Sequence, residues 1–212
     1  MNPDNSATLY YGHDPMCSWC WGFRPVWNEV RQRLPADIRL VSRVGGLAPD
    51  SDEPMPQALR ETLQATWRRI QQVIPGTEFN FDFWSRNTPR RSTYPACRAV
   101  IIAREMANRE DDMTLGIQHA YYLQARNPSD LDTLVDIADR IGLDGQVFRQ
   151  RMVSGEADDL FQSELARVRG LGVNSFPSLV IEKDSQHRDI PIDYLSADNI
   201  LQGIDAFCHQ TA

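Results

Sequence analysis

The feature that most limits what this chain can fold into is Cys17-Ser18-Trp19-Cys20, set between two different hydrophobic periodicities. Before it, residues 8–12 (TLYYG) are short, apolar and aromatic, and read as a buried strand. After it, Phe23, Val26, Trp27, Val30 and Leu34 recur at the spacing of one helical face. Pro25 lies inside that pattern and is expected to kink the helix, which Pro35 closes. Residues 38–44 then alternate as a second strand ending at Gly45-Gly46. The first 46 residues thus read strand, cysteine loop, helix, strand: a βαβ unit with a parallel strand pair. A thiol at a helix N-terminus faces unpaired N–H groups and the positive end of the helix dipole. Both favour thiolate over thiol, so Cys17 is expected to be the attacking sulfur. Cys20, one turn deeper on the same face, is placed to resolve a mixed disulfide by closing onto Cys17.

Two cysteines at this spacing also supply half of a tetrahedral zinc site. No second pair is present: Cys97 and Cys208 stand alone, and His13, His119, His187 and His209 show no ligand spacing. A strand before and a helix after therefore point to redox chemistry with no metal. The N-terminal segment has no basic start and no apolar h-region, and no stretch has the apolar length needed to cross a bilayer. The expectation is a cytoplasmic protein with no membrane partner, in which a close cysteine pair is catalytic or metal-binding rather than structural. The formal net charge is −7, Lys183 is the only lysine, and no basic run occurs, which opposes a nucleic-acid partner. Cys97 shares an apolar face with Val100 and Ile101, and Cys208 with Ile204 and Phe207, so both read as buried structural cysteines.

Between residues 50 and 170 helical patterns dominate, with helices expected near 57–73, 93–108, 112–125, 130–141, 144–153 and 156–169. The aromatic run at residues 79–84 fits either a short strand or a loop packed on the core. Strand signals return at 178–182 and, more weakly, at 188–192, followed by a closing helix over 196–209. Residues 1–48 and 171–212 are therefore expected to form two halves of one α/β unit, β-α-β and β-β-α, with residues 49–170 as a large all-helical insertion. A length of 212 residues is enough for a small domain carrying such an insertion.

Strand–CxxC–helix, this two-half skeleton and the helical insertion resemble the DsbA-like branch of the thioredoxin superfamily. Pro25 falls five residues after the second cysteine, where thioredoxins also carry a proline. Residues 172–177 (GVNSFP) before a strand resemble the family's G-V-x-x-x-P signature, whose proline is cis and faces the cysteine pair. By sequence alone a trans proline opening a strand would be expected, since cis X–Pro bonds are found in roughly one case in twenty. The resemblance implies a thioredoxin-like fold, thiol–disulfide exchange through Cys17 and Cys20, and a substrate surface formed by Ser18, Trp19, Phe176 and Pro177. Trp19 and Phe176 are large and apolar, suited to shield the sulfurs and to rim a substrate site.

His13 and Asp14 sit beside the pair, and either is a candidate to shuttle a proton to the resolving thiol. The other reading of Asp14 is a helix cap or the start of the turn before Pro15. The expected partners are protein or small-molecule thiols and disulfides, with no cofactor; glutathione is an expected co-substrate. A cytoplasmic setting argues for reduction or isomerisation over oxidation. Two competing readings are a glutathione-dependent isomerase or kappa-class-like transferase, which usually carries serine at the position of Cys17, and a non-catalytic binding module using the helical insertion.

Overall fold

The strands on either side of the cysteine segment pair in parallel. β1 (Thr8–His13) and β2 (Arg39–Val44) run side by side with α1 (Ser18–Arg33) as the crossover. The computed structural model describes residues 7–210; residues 1–6, within the segment expected to carry no leader, and 211–212 lie outside the described residues. β3 (Ser178–Lys183) lies antiparallel to β1, and β4 (Gln186–Ile190) antiparallel to β3, giving the order β2-β1-β3-β4.

Strand alternation sends Leu9, Tyr11, Leu179 and Ile181 to one face of the sheet, against Phe23, Trp27 and Val30 of α1. Ile200, Ile204 and Phe207 of the terminal helix (Ala197–Gln210) close the same core. Tyr10 and Val180 point to the opposite face, where Val168 and Val173 cover them.

Between β2 and β3 the chain is helical: α2 (Gln57–Val73), α3 (Phe83–Arg86), α4 (Tyr94–Ala107), α5 (Glu110–Gln118), α6 (Leu131–Arg140), α7 (Gly145–Val153) and α8 (Glu156–Gly170), with α9 (Ala197–Gln210) following the sheet. These helices bury a second core in which Trp67 of α2 meets the rings of Phe79, Phe83, Trp84, Tyr121 and Tyr122. Met16 and Val44, at the cysteine end of β1 and β2, belong to this second core. The insertion is therefore packed on the end of the sheet where the cysteines sit. The fold is thioredoxin-like, with a helical insertion between its halves.

Several local expectations are corrected. β1 extends one residue further, to His13, because His13 continues the ladder opposite Val44. The helix expected over 112–125 is α5 followed by a π-helical turn at His119–Leu123. The widened turn presents carbonyls that Asn80 takes: its backbone N–H donates to Tyr122 O at 2.6 Å and its side chain to Leu123 O at 3.1 Å. The aromatic run at 79–84 is thus a packed loop leading into the single turn of α3. β4 ends at Ile190 rather than at 192, since Pro191 has no N–H for the ladder. As expected, Pro25 lies inside α1, which runs on to Arg33; Pro25 lacks the N–H that would bond the Trp21 carbonyl.

One buried carboxylate joins the insertion to the sheet. Glu164 of α8, 2% exposed, accepts from Val44 N at 3.2 Å, from both terminal nitrogens of Arg104 at 3.2 and 3.1 Å, and from Arg43 at 3.3 Å. Removing it would leave the buried Val44 N–H and the Arg43 guanidinium without this acceptor, and Arg104, among the described residues, with only the longer contact to Glu105 at 3.7 Å. Glu164→Ala is expected to lower the unfolding free energy by about 2–4 kcal/mol, with Glu164→Gln costing less. Urea unfolding at neutral pH checks this, and an unchanged midpoint would contradict it.

Candidate active site

The cysteines are positioned by a turn and a helix start. Asp14 and Cys17 close a turn through Cys17 N–H to Asp14 O at 3.0 Å, with Pro15 in the second position, where its fixed φ is preferred. Cys17 is the N-cap residue of α1, with extended φ of −79° and ψ of 116°, and its carbonyl accepts from Trp21 N at 3.0 Å. Its side chain makes no cap bond to the helix. The Cys17 sulfur instead points at the chain before β3, 3.3 Å from the carbonyl oxygen of Phe176. Cys20 is 1% exposed. Burial, followed by its contact with the Cys17 sulfur, pushes its thiol well above the ordinary range. Both cysteines are buried, Cys17 at 5% exposure and Cys20 at 1%, and Cys17 is the one that lines the groove described below.

Asp14 does not cap α1. Its carboxylate is fully buried and accepts from Met16 N at 2.7 Å, from Leu47 N at 2.7 Å and from Thr93 Oγ1 at 2.7 Å. The Cys97 thiol lies 3.6 Å from the same oxygen that Leu47 and Thr93 use. Burial raises the Asp14 carboxyl above its usual range, with the bonds from Thr93, Leu47 and Met16 pulling it back. The Cys97 thiol is raised well above its ordinary value, first by burial and then by the Asp14 charge. One carboxylate thereby fixes the cysteine turn to the loop after β2 and to the start of α4.

His13 stacks on Tyr11, with ring centroids 4.9 Å apart, and its Nδ1 is buried without a hydrogen-bond partner. Burial pushes the imidazole down from 6.5 to about 4, so it is neutral at physiological pH. A small cavity of about 20 Å³, enough for one water molecule, touches Tyr11, His13, Cys20, Arg24 and Gln118 and reaches Arg31 and Asp111.

On the other side of the pair a groove of about 300 Å³ opens at Cys17. Ser18, Trp19 and Phe176 line it, together with Leu63 and Trp67 of α2, Arg91 and Tyr121. The Phe176–Pro177 bond is cis, and Pro177 lines a neighbouring depression rather than this groove. Trp19 leans on Tyr194, with centroids 5.1 Å apart. Phe176 is seated on glycine backbone: a Cβ at Gly45 would fall 1.9 Å from its Cζ.

Cys17, Ser18, Trp19 and Phe176 therefore share one surface, and Cys20 and His13 share the cavity behind it. Cys97, read from its helical face as structural, is buried and also tied to the active-site turn, whereas Cys208, expected to be buried, is only partly so, at the edge of the core formed by α1 and α9. The sequence marks Gly45-Gly46 only as the end of β2, the one local signal near this close approach, and gives no sign of the places of Thr93 and Arg91. Among the described residues no cluster of three or more His, Cys, Asp or Glu side chains is arranged to hold a metal, and no helix is long and apolar enough to cross a membrane.

A family model described as the DSBA-like thioredoxin domain matches residues 12–198. The crystal structure of a candidate protein disulfide isomerase from Nitrosomonas europaea is 27% identical, with a TM-score of 0.82, covering 98% of this chain and 100% of that one. The cytosolic disulfide reductase DsbM from Pseudomonas aeruginosa, at 23% identity and a TM-score of 0.75, covers 96% and 99%. A second structure of that enzyme contains GSH and has a TM-score of 0.74 at 22% identity, covering 95% of this chain and 99% of that one. Among curated proteins, the ClpXP adapter protein SpxH of Halalkalibacterium halodurans is 24% identical over 182 residues, which are 84% of this chain and 59% of that protein. The chain thus spans about three fifths of the length of the curated relatives it matches, the second being SpxH of Bacillus subtilis at 62%.

The buried His13 gives the fold an acid-sensitive term. Its folded value of about 4 lies below the unfolded 6.5, so its contribution is complete above pH 6.5 and is lost as pH falls toward 4. The loss amounts to up to about 3 kcal/mol. His13→Phe keeps the stacking on Tyr11 and leaves no ring nitrogen unpaired. Its stability between pH 6.5 and 4 is expected to decline less steeply than that of the parent, as measured by denaturant unfolding at several pH values. Parallel declines would contradict the assignment.

Proposed function

The chain belongs to the family of the DSBA-like thioredoxin domain, and we propose that within it this protein is a cytoplasmic thiol–disulfide oxidoreductase of the reductase type, with glutathione as co-substrate. The observation that carries the reading is the division of labour between the two sulfurs. Cys17 faces the groove beside the Phe176 carbonyl, while Cys20 lies buried behind it as a thiol of raised pKa. A nucleophile in front of a resolving thiol is the arrangement that two-step disulfide exchange requires.

The Cys17 thiolate attacks one sulfur of a substrate disulfide, which breaks, and the departing thiolate takes up a proton. The resulting bond between Cys17 and the substrate removes the sulfur charge that had opposed ionisation of Cys20. Cys20 then gives up its proton and attacks the Cys17 sulfur. The second substrate thiolate leaves, and the pair becomes a disulfide. Two electrons have passed from the pair to the substrate. Two glutathione thiols return the pair to its reduced form and leave as glutathione disulfide. Isomerisation begins with the same first step, the mixed disulfide being released to another substrate thiol before Cys20 closes.

His13, which lines the small cavity beside Cys20, is the proposed relay for the resolving proton, one nitrogen of its neutral ring accepting as the other donates. Asp14 is assigned to positioning, its oxygens being occupied by three donors. Ser18, Trp19 and Phe176 form the proposed substrate surface, with Pro177 shaping the chain that carries Phe176. Cys17 stands where the glutathione-dependent isomerases usually carry serine, which favours exchange over isomerase or transferase chemistry. The similarity to SpxH favours a second reading, a partner-binding module whose cysteine pair does not turn over.

Trapping separates the two. With Cys20→Ser, a protein disulfide such as insulin or a small one such as glutathione disulfide is expected to remain attached at Cys17 as a mixed disulfide visible by mass spectrometry. The parent protein is expected to reduce insulin, and Cys17→Ser to fall to the uncatalysed background. A Cys20→Ser protein that traps neither disulfide would exclude the oxidoreductase reading and leave the binding module.

A further inference from the structure

We propose that Arg91 forms a carboxylate-binding subsite in the groove beside Cys17, so that the protein selects carboxylate-bearing peptide thiols of the glutathione class over neutral thiols of similar size. The inference rests on the thiol–disulfide reading above and adds the residue that sets the substrate class.

Arg91 is the sole charged side chain lining the groove, whose other walls include the apolar surfaces of Leu63, Trp67, Tyr121 and Phe176. The volume of about 300 Å³ suits a short peptide rather than a folded chain. A guanidinium against such walls acts through a lower effective dielectric than one in water, which strengthens its hold on an anion. Its charge reaches the Tyr121 hydroxyl in the same groove.

Arg91 is also unusual among its neighbours in having no internal carboxylate. Arg90 pairs with Asp130 at 2.6 Å, and Arg98 with Asp50 and Asp158, each at 2.6 Å. No ion pair within 4.0 Å to Arg91 occurs among the described residues, in a chain whose formal net charge is −7. The backbone around it is nonetheless held firmly. Arg90 donates to Ser129 O at 2.9 Å, and Ser92 O accepts from Ser129 Oγ at 2.6 Å. Thr93 is fixed by Asp14. A cation carried on a segment held at both neighbours, with no carboxylate on its fork of donors and in the groove that Cys17 lines, matches the terminal carboxylate of a small peptide thiol.

The reaction that reports on this subsite is oxidation of the reduced pair by glutathione disulfide. The Cys17 thiolate attacks one sulfur, and the first glutathione leaves as a thiolate and takes a proton. Cys20, losing its proton, then displaces the second. The pair gives two electrons, and glutathione disulfide becomes two glutathione thiols.

The test compares glutathione disulfide with neutral 2-hydroxyethyl disulfide, using reduced parent, Arg91→Gln and Arg91→Lys proteins, and reads the ratio of the two second-order rate constants within each protein. Arg91→Gln is expected to lower the ratio by about tenfold or more, and Arg91→Lys to retain part of it. The ratio in the unsubstituted protein is expected to fall as salt rises, a measurement that needs no variant to fold. A parent ratio that ignores salt, or a folded Arg91→Gln protein with the parent's ratio, overturns the subsite while leaving disulfide exchange intact. A parent protein that reacts with neither disulfide overturns the oxidoreductase reading and the subsite with it.

Discussion

The contact between the Cys17 sulfur and the Phe176 carbonyl, 3.3 Å across 159 positions of sequence, is the constraint on which the rest of the site depends. It joins the first half of the thioredoxin-like unit to the second. Phe176 reaches that position because Gly45 leaves room for its ring, where any Cβ would collide with it at 1.9 Å. The pairing of β1 with both β2 and β3 brings Gly45 and the chain before β3 to the same end of the sheet. The groove and the reactive sulfur are consequences of that meeting.

Asp14 extends the constraint into the insertion. A buried carboxylate is costly unless its oxygens are satisfied, and here three donors and a thiol from separate elements converge on it. The loop after β2 and the start of α4 are drawn in as those donors. The insertion therefore does more than cover the cysteines. It contributes Arg91 to the groove, and through Trp67 and Tyr121 it supplies apolar wall. Cys20, buried behind Cys17 with its thiol pushed up by burial, is the sulfur that acts second in the proposed exchange.

Much of the fold was legible because its signals are local. The apolar strand before Cys17, the helical face through Phe23, Val26, Trp27 and Val30, and the prolines that end elements each follow from neighbouring residues. The boundary errors have local causes as well: Pro191 ends β4 early, and the π-helical turn at His119–Leu123 depends on Asn80, some forty residues away in the chain. The cysteine pair and Phe176 were legible as motifs. Cys97 looked like one apolar residue on a helical face, and nothing near it in sequence points to Asp14, which lies 83 positions away. Arg91 was invisible for a different reason. What distinguishes it is the absence of a carboxylate partner among the described residues, which sequence cannot display.

The central claim is that Cys17 and Cys20 form one redox couple at the mouth of this groove. The most direct measurement is an equilibrium titration of the protein in glutathione buffers, with thiols trapped at each poise and the modified cysteines mapped by mass spectrometry. The account predicts a single two-electron transition, with a Cys17–Cys20 disulfide as the oxidised species and Cys97 remaining a thiol throughout. Cys17 and Cys20 staying unbridged at the most oxidising poise, or a disulfide that involves Cys97, would contradict it.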